Sequence, residues 1–173
     1  MTNLDDLAAS ALRLEPAEAT EVLRELLLDA DLRAGTARTG SDIDTRVADD
    51  LAFLREVARV ADIPDEPPGE ASPQQLLAVI VEAIPAAQEP VSEALTALDE
   101  RETSLDMAAS IAVASIAIST SAAIIRPLVT FEKERDGDRE TIRLKVDVRG
   151  VRNLGKVISA LLPFLNNGDN SGR

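Results

Sequence analysis

The chain has no cysteine and no histidine, and these two absences together exclude several kinds of chemistry. Disulfides, thiol nucleophiles, zinc sites built from Cys or His, and imidazole acid–base catalysis all require one of these residues. Tryptophan and tyrosine are also missing, and aromatic residues amount to 2% of the sequence. We therefore expect a core of aliphatic side chains, and we do not expect an enzyme.

Positive charge is scarce in the first part of the chain. The formal net charge is −13, and residues 1–105 contain 8 basic against 23 acidic residues. Residues 106–173 have a slight basic excess, with 10 basic and 8 acidic residues. This distribution indicates two units with different surroundings, and the alternative is a solvated acidic surface. The acidic part would repel a phosphate backbone, so no nucleic acid is expected among the partners.

The front of the chain shows helical periodicity interrupted by proline. Residues 1–61 form an acidic helical unit in which apolar residues recur every three or four positions. Residues 62–73 read DIPDEPPGEASP, which is typical of a linker. Residues 74–105 contain short helices, the first of which begins with a cap at Ser72. The opening MTNLDDLAAS lacks the features of a secretory signal, so a cytoplasmic location is predicted.

A central apolar helix is predicted over 106–126, because Met107–Ile125 contains no charged residue. Its length matches a membrane span, yet its many small residues also suit a helix buried in a protein or in an oligomer. A strand is a third interpretation, since part of the segment alternates. Small residues spaced for close helix contact are the candidate interaction positions here: Ala108, Ala112, Ser115, Ser119 and Ala123.

The apolar period changes from that of a helix to that of a strand after Pro127. Residues 127–165 are predicted to form a β-hairpin followed by a helix, with a turn at Asp136 and Gly137 and a second strand ending at Gly150. Residues 166–173 are predicted to be a flexible tail. The basic residues of this part are candidates for contact with an acidic partner, an anionic lipid surface or the acidic front half, and the alternative is a solvated face: Arg143, Lys145, Arg149, Arg152 and Lys156.

Two motifs that resemble ligand sites fail on their details. GTARTGS, residues 35–41, has two glycines of a phosphate loop but lacks its lysine and follows a helix. Asp136, Asp138 and Glu140 cluster at the hairpin turn without the spacing of a calcium loop. We therefore predict no metal, no cofactor and no catalytic residue, and we identify no small-molecule substrate.

The last third of the chain has an order of segments that resembles a known family. The segments are SIAVASIAISTSAAIIRPL, then TIRLKVDVRG, then NLGKVISALL, between Ala108 and Leu165. This order is similar to the C-terminal organisation of the effector-associated constant component proteins of bacterial conflict systems. The resemblance implies a non-enzymatic accessory in a defence-type assembly, and it implies no site residues.

The sequence as a whole predicts a mostly α (α+β) protein with an N-terminal helical unit, a central apolar helix and a C-terminal ββα unit. The leading functional hypothesis is a non-catalytic assembly or adaptor component. Its central helix and hairpin would be completed by partner subunits or by identical copies, as a homo- or hetero-oligomer. The alternative is a membrane-attached component, with segment 107–125 in lipid, of an oligomeric pore or signalling complex.

Overall fold

The computed structural model describes residues 4–35, 43–63, 70–100, 110–136 and 139–167, and it confirms a mostly helical fold with one small antiparallel hairpin. Two short 3₁₀ turns, Pro85–Ala87 and Arg126–Leu128, precede the fifth helix and the hairpin. The described elements in chain order are α1 (Leu4–Arg13), α2 (Pro16–Ala34), α3 (Ile43–Val60), α4 (Pro73–Ala83), α5 (Gln88–Glu100), α6 (Ser110–Ile125), β1 (Val129–Asp136), β2 (Arg139–Val146) and α7 (Leu154–Asn167).

Local sequence signals set several of the helix ends. Gly35 ends α2 with φ 65°, a left-handed conformation that costs glycine little, and its N–H donates to the carbonyl of Leu32 at 3.2 Å. Ser72 begins α4, where its hydroxyl accepts a hydrogen bond from the backbone N–H of Gln75 at 3.3 Å. Asn153 begins α7 in the same way, accepting from the N–H of Lys156 at 3.0 Å.

Helix α6 lies in the middle of the fold, against α2, α3, α4 and α7. Its residues from Ala117 to Ala122 are all buried, and Ile125 is fully buried at its end. The Thr120 hydroxyl donates to the carbonyl of Leu23 in α2 at 2.8 Å, which satisfies a polar group inside the core. No helix among the described residues has the length and apolar composition required to cross a membrane.

The buried apolar side chains of the described residues, with the exception of Ala19, form a single cluster that includes both sides of the predicted linker. Helix α1 packs on α4, and the Gln74 side chain donates to the carbonyl of Leu14 at 3.2 Å. The short amphipathic helices of the front half cannot bury their apolar faces alone, so they share one core with α6 and α7. The largest fully buried side chains are Phe164, Leu23, Leu54, Leu76, Leu77, Ile80, Ile84, Ile118, Ile125, Ile158, Leu161 and Leu165.

The hairpin pairs Val129 with Val146 and Phe131 with Leu144, so that these apolar residues share one face. That face lies on α3, where the Phe131 and Phe53 rings meet edge to face with centroids 6.0 Å apart. Strand β2 ends earlier than predicted, because Asp147–Gly150 forms a turn that leaves Val148 exposed. The predicted turn residue Gly137 lies outside the described residues.

Helix α7 runs to Asn167, and so it includes the first two residues that were predicted to belong to a flexible tail; the rest of the tail, residues 168–173, lies outside the described part. Pro163 sits inside this helix. It removes one backbone donor, and its ring remains buried among the apolar residues of the core.

Replacing Ile118 by Ala should test whether α6 is held in the core. Ile118 is 1% exposed, and removing its methyl groups leaves a cavity that is expected to lower the free energy of unfolding by about 2–5 kcal/mol. The measurement is urea denaturation followed by far-ultraviolet circular dichroism. Leu32→Ala is the control, because Leu32 is 75% exposed and should change stability little. An Ile118→Ala protein as stable as the unaltered chain would contradict this placement of α6.

Candidate functional site

The five small residues predicted as an interaction stripe lie on or just before α6. Ser119 is buried in the core, whereas Ser115 and Ala123 are half-buried. Ala112 belongs to α6 but its side chain is outside the described part, as is the whole of Ala108. The described portion of the stripe therefore packs within this chain, where small side chains allow neighbouring helices to approach closely.

Two of the predicted basic residues lie on the solvent face of the hairpin, where acidic residues of β1 accompany them. Lys145 approaches Glu132 at 3.3 Å, and Arg143 approaches Glu134 at 3.5 Å. All four side chains are more than half exposed, so each pair contributes little to stability. Their charges nevertheless balance, and this face of the hairpin is not a surface of one sign.

The other three basic residues lie beyond β2 in separate surroundings. Arg149 belongs to the turn after β2, where its backbone N–H donates to the Asp147 carboxylate at 3.0 Å. Arg152 donates its backbone N–H to the carbonyl of Ala83, at the end of α4, at 2.7 Å. Lys156, in the first turn of α7, forms an ion pair with Glu82 of α4. The five residues therefore do not form one continuous unpaired cationic patch.

A groove runs between α2 and α5, and we call it the acidic groove. It has a volume of about 230 Å³, and its apolar side chains are contributed by Val22 of α2 and by Pro90, Ala94, Ala97 and Leu98 of α5. Its acidic side chains are Glu21, Glu25, Asp29 and Glu93. Apolar residues at the positions of one helical face, bordered by carboxylates, make a surface suited to an amphipathic helix.

Two exposed leucines extend the same side of α2. Leu28 is 48% exposed and Leu32 is 75% exposed. Leu28 follows Glu25 by three residues, and Leu32 follows Asp29 by three, so both are neighbours of the acidic groove on the helix surface. Single exposed leucines are ordinary on a helix surface, and these two add apolar area beside the groove.

A second site is built around a chain of ion pairs that joins α2, α3 and the 3₁₀ turn before β1. Arg46 donates from both terminal nitrogens to Asp31, at 2.6 Å and 2.7 Å, and from Nε to Asp50 at 3.4 Å. The hydrogen bonds to Asp31 raise the pKa of the Arg46 guanidinium, and burial opposes that shift. Arg46 is therefore a fixed cation between two carboxylates.

Arg126 completes this chain of ion pairs from the other side. Its Nη2 lies 2.9 Å from Asp50 Oδ1, and its guanidinium carbon lies 5.0 Å from the centroid of the Phe53 ring. Asp50 is only 2% exposed, so the two arginines compensate a carboxylate that has been removed from water. Arg126 itself keeps a side chain that is 45% exposed.

The ion pairs form one wall of a cleft of about 630 Å³, which we call the α2–α6 cleft. This volume is within the range of roughly 300–1,000 Å³ that is typical of small-molecule sites. Most of the other lining residues are aliphatic and come from α2, from the α4–α5 connection, from the end of α6 and from the 3₁₀ turn before β1. The aliphatic residues that line the cleft include Leu26, Ala30, Ile84, Ala87, Ala123, Ile124 and Leu128.

Both sites combine aliphatic surface with charged side chains. Within the described ranges, no three acidic side chains come together as a metal-binding group. The carboxylates of Asp31 and Asp50 in the α2–α6 cleft lie within ion-pair distance of guanidinium groups. A signal for this site was present in the sequence. Asp50 falls three residues after Val47 and four before Leu54, on the apolar side of α3, with Arg46 four residues ahead.

Removing the charge of Arg46 should lower the stability of the fold. In an Arg46→Gln protein the carboxylates of Asp31 and Asp50 remain in place without their shared partner, and the free energy of unfolding is expected to fall by about 3–5 kcal/mol. Arg59→Gln is the matched control, because Arg59 is an exposed cation on the same helix and its loss should matter little. Urea denaturation measures both, and equal effects of the two substitutions would contradict the assignment.

No family model, no curated protein and no solved structure matches this chain. The resemblance of the last third to effector-associated constant components therefore stays a prediction. The two sites stand on their own geometry, and the function is inferred from that geometry alone.

Proposed function

We propose that this protein is a non-catalytic assembly component that binds a basic, amphipathic segment of a partner protein in the acidic groove. The observation that carries this proposal is the combination of an apolar floor and an acidic rim between α2 and α5. The stretch of α6 from Ala117 to Ala122 is buried by helices of this chain, so the proposed docking surface lies away from the central helix.

The floor of the groove suits aliphatic side chains presented by a helix. Ala94 and Ala97 are small, so they leave room for the side chains of an incoming helix between the two helix backbones. Leu98 and Val22 supply apolar surface at the base. A partner helix would insert residues spaced three or four positions apart, which is the recurring geometry of a helix bound in a groove.

The rim sets the charge of that partner. Glu21 and Asp29 pair with Arg24 and Arg33 of the same helix. Glu25 and Glu93, which border the groove from its two helices, belong to none of the ion pairs among the described residues. The whole of residues 1–105 carries 23 acidic against 8 basic residues, which adds a long-range field of the same sign. Such a field accelerates the approach of a cationic segment and repels an anionic one.

A role in a bacterial defence-type assembly rests only on the resemblance of the last third. Support for docking comes from a different part of the chain, the helices α2 and α5. The proposed partner is thus defined by its chemistry, as a helix with lysine or arginine on one face and aliphatic residues on the other.

The groove can be probed with a synthetic peptide that has leucine on one helical face and lysine on the other. We expect isothermal titration calorimetry to detect binding that weakens with added salt. Glu25→Lys combined with Glu93→Lys should reduce the affinity roughly tenfold or more, because two attractive contacts become repulsive. Ala97→Leu should also weaken binding, since the added side chain occupies the floor.

The matched control combines Asp49→Lys with Glu70→Lys, which makes the same change in net charge at exposed positions outside the groove. A peptide of the same composition but shuffled order is the second control, because it keeps the charge and loses the apolar face. If the shuffled peptide binds as tightly as the amphipathic one, or if both double variants weaken binding equally, the attraction is general electrostatics and the proposal fails.

A further inference from the structure

We propose that the α2–α6 cleft binds an aliphatic monocarboxylate, with the hydrocarbon chain against the aliphatic wall and the carboxylate on Arg126. This site adjoins the acidic groove, because Asp29 and Pro90 line both, and it adds a small-molecule ligand to a protein for which the sequence identified none.

The aliphatic wall defines the body of the ligand. Leu26 and Ile84 are almost fully buried and line the cleft together with Ala87, Ala123 and Ile124. The two alanines are small and leave room for a ligand. The described lining residues include no aromatic ring, no hydroxyl and no amide side chain. A nucleobase would find no stacking partner and a sugar few hydrogen-bond partners there, whereas a hydrocarbon chain would gain from leaving water.

Arg126 defines the head group. Arg46 already uses three nitrogens on Asp31 and Asp50. Arg126 uses only Nη2 on Asp50, and its other N–H groups have no partner within the described part of the chain. Its guanidinium is held against the Phe53 ring, so it is oriented before a ligand arrives. A carboxylate can accept two parallel hydrogen bonds from such a group.

The other charges of the cleft favour a ligand with a small negative charge. Three carboxylates, Asp29, Asp31 and Asp50, line it beside three guanidinium groups, Arg33, Arg46 and Arg126. Arg33 pairs with Asp29 through Nε at 3.0 Å and its side chain is 58% exposed, so Arg126 is the guanidinium that combines spare donors with a fixed position against an aromatic ring. A phosphate dianion would add two negative charges next to three carboxylates, whereas a monocarboxylate adds one.

Calorimetric titration with hexanoate, octanoate and decanoate, each below its micelle concentration, tests the hydrocarbon part. We expect affinity to rise about fourfold per added methylene until the cleft is filled. Decylammonium and decanol test the head group, and both should bind at least tenfold more weakly than decanoate. Absence of binding by every probe, or an affinity that does not depend on chain length, would overturn the proposal.

Two substitutions test the head-group contact and the hydrocarbon contact separately. Arg126→Gln should weaken decanoate at least tenfold and leave the affinity for decanol unchanged. Ala123→Leu should weaken both, because its side chain would enter the space of the hydrocarbon. Arg59→Gln is the matched control, since it removes the same charge from an exposed arginine outside the cleft. Arg33→Gln tests the other exposed arginine of the cleft, whose terminal nitrogens are also unpaired among the described residues. An effect of Arg33→Gln as large as that of Arg126→Gln would overturn the head-group assignment.

Each variant is first compared with the unaltered chain by thermal unfolding, to check that it folds. If Arg126→Gln does not fold, Ala123→Leu still tests the proposal through the hydrocarbon contact. The titrations use the full chain without any peptide. A failure of fatty-acid binding therefore leaves the acidic groove untouched, and a failure of peptide binding leaves the cleft untouched.

Discussion

Close packing around α6 is the constraint on which the rest of the structure depends. With aromatic residues at 2% of the sequence, the core has few large rings with which to fill space between distant helices. Aliphatic helices must instead come close together, and the alanines and serines of α6 permit that approach from several sides. Leu23, Leu54 and Leu161 belong to three of the helices that converge on it, and each is fully buried. The surface groove and the cleft are both bordered by helices that this packing positions.

The ion pairs of Arg46 and Arg126 connect the two differently charged parts of the chain. Asp50 belongs to the acidic front, whereas Arg126 is the first residue after α6 in the mildly basic remainder. Their contact also fixes the start of the hairpin, because Arg126 stacks on Phe53 and Phe53 meets Phe131 of β1. Part of the charge difference between the two halves is therefore compensated by an ion pair inside one folded unit. Buried pairs of this kind add more to a specific arrangement than to net stability.

Local features of this fold could be read from the sequence, and features that join distant segments could not. Gly35, Ser72 and Asn153 end or begin helices through bonds that reach only three or four residues. The acidic groove, in contrast, requires α2 and α5 to lie side by side. The periodicity of each helix shows which of its faces is apolar, but it does not show which other helix that face contacts. Asp31, Asp50 and Arg126 approach one another only after the core has formed. The charge contrast between the halves suggested two separate units. Charge patterning describes the composition of the surface, and it does not show which helices share a core.

The hydrogen bond from Thr120 to Leu23 joins residues 97 positions apart, and this separation has a consequence for the order of folding. Helices α1 to α5 leave the ribosome before α6 does, so their apolar faces lack their central neighbour during that interval. Closing so large a loop carries an entropic cost that is recovered when the apolar faces of these helices meet α6. The front helices therefore complete their packing only when α6 joins them.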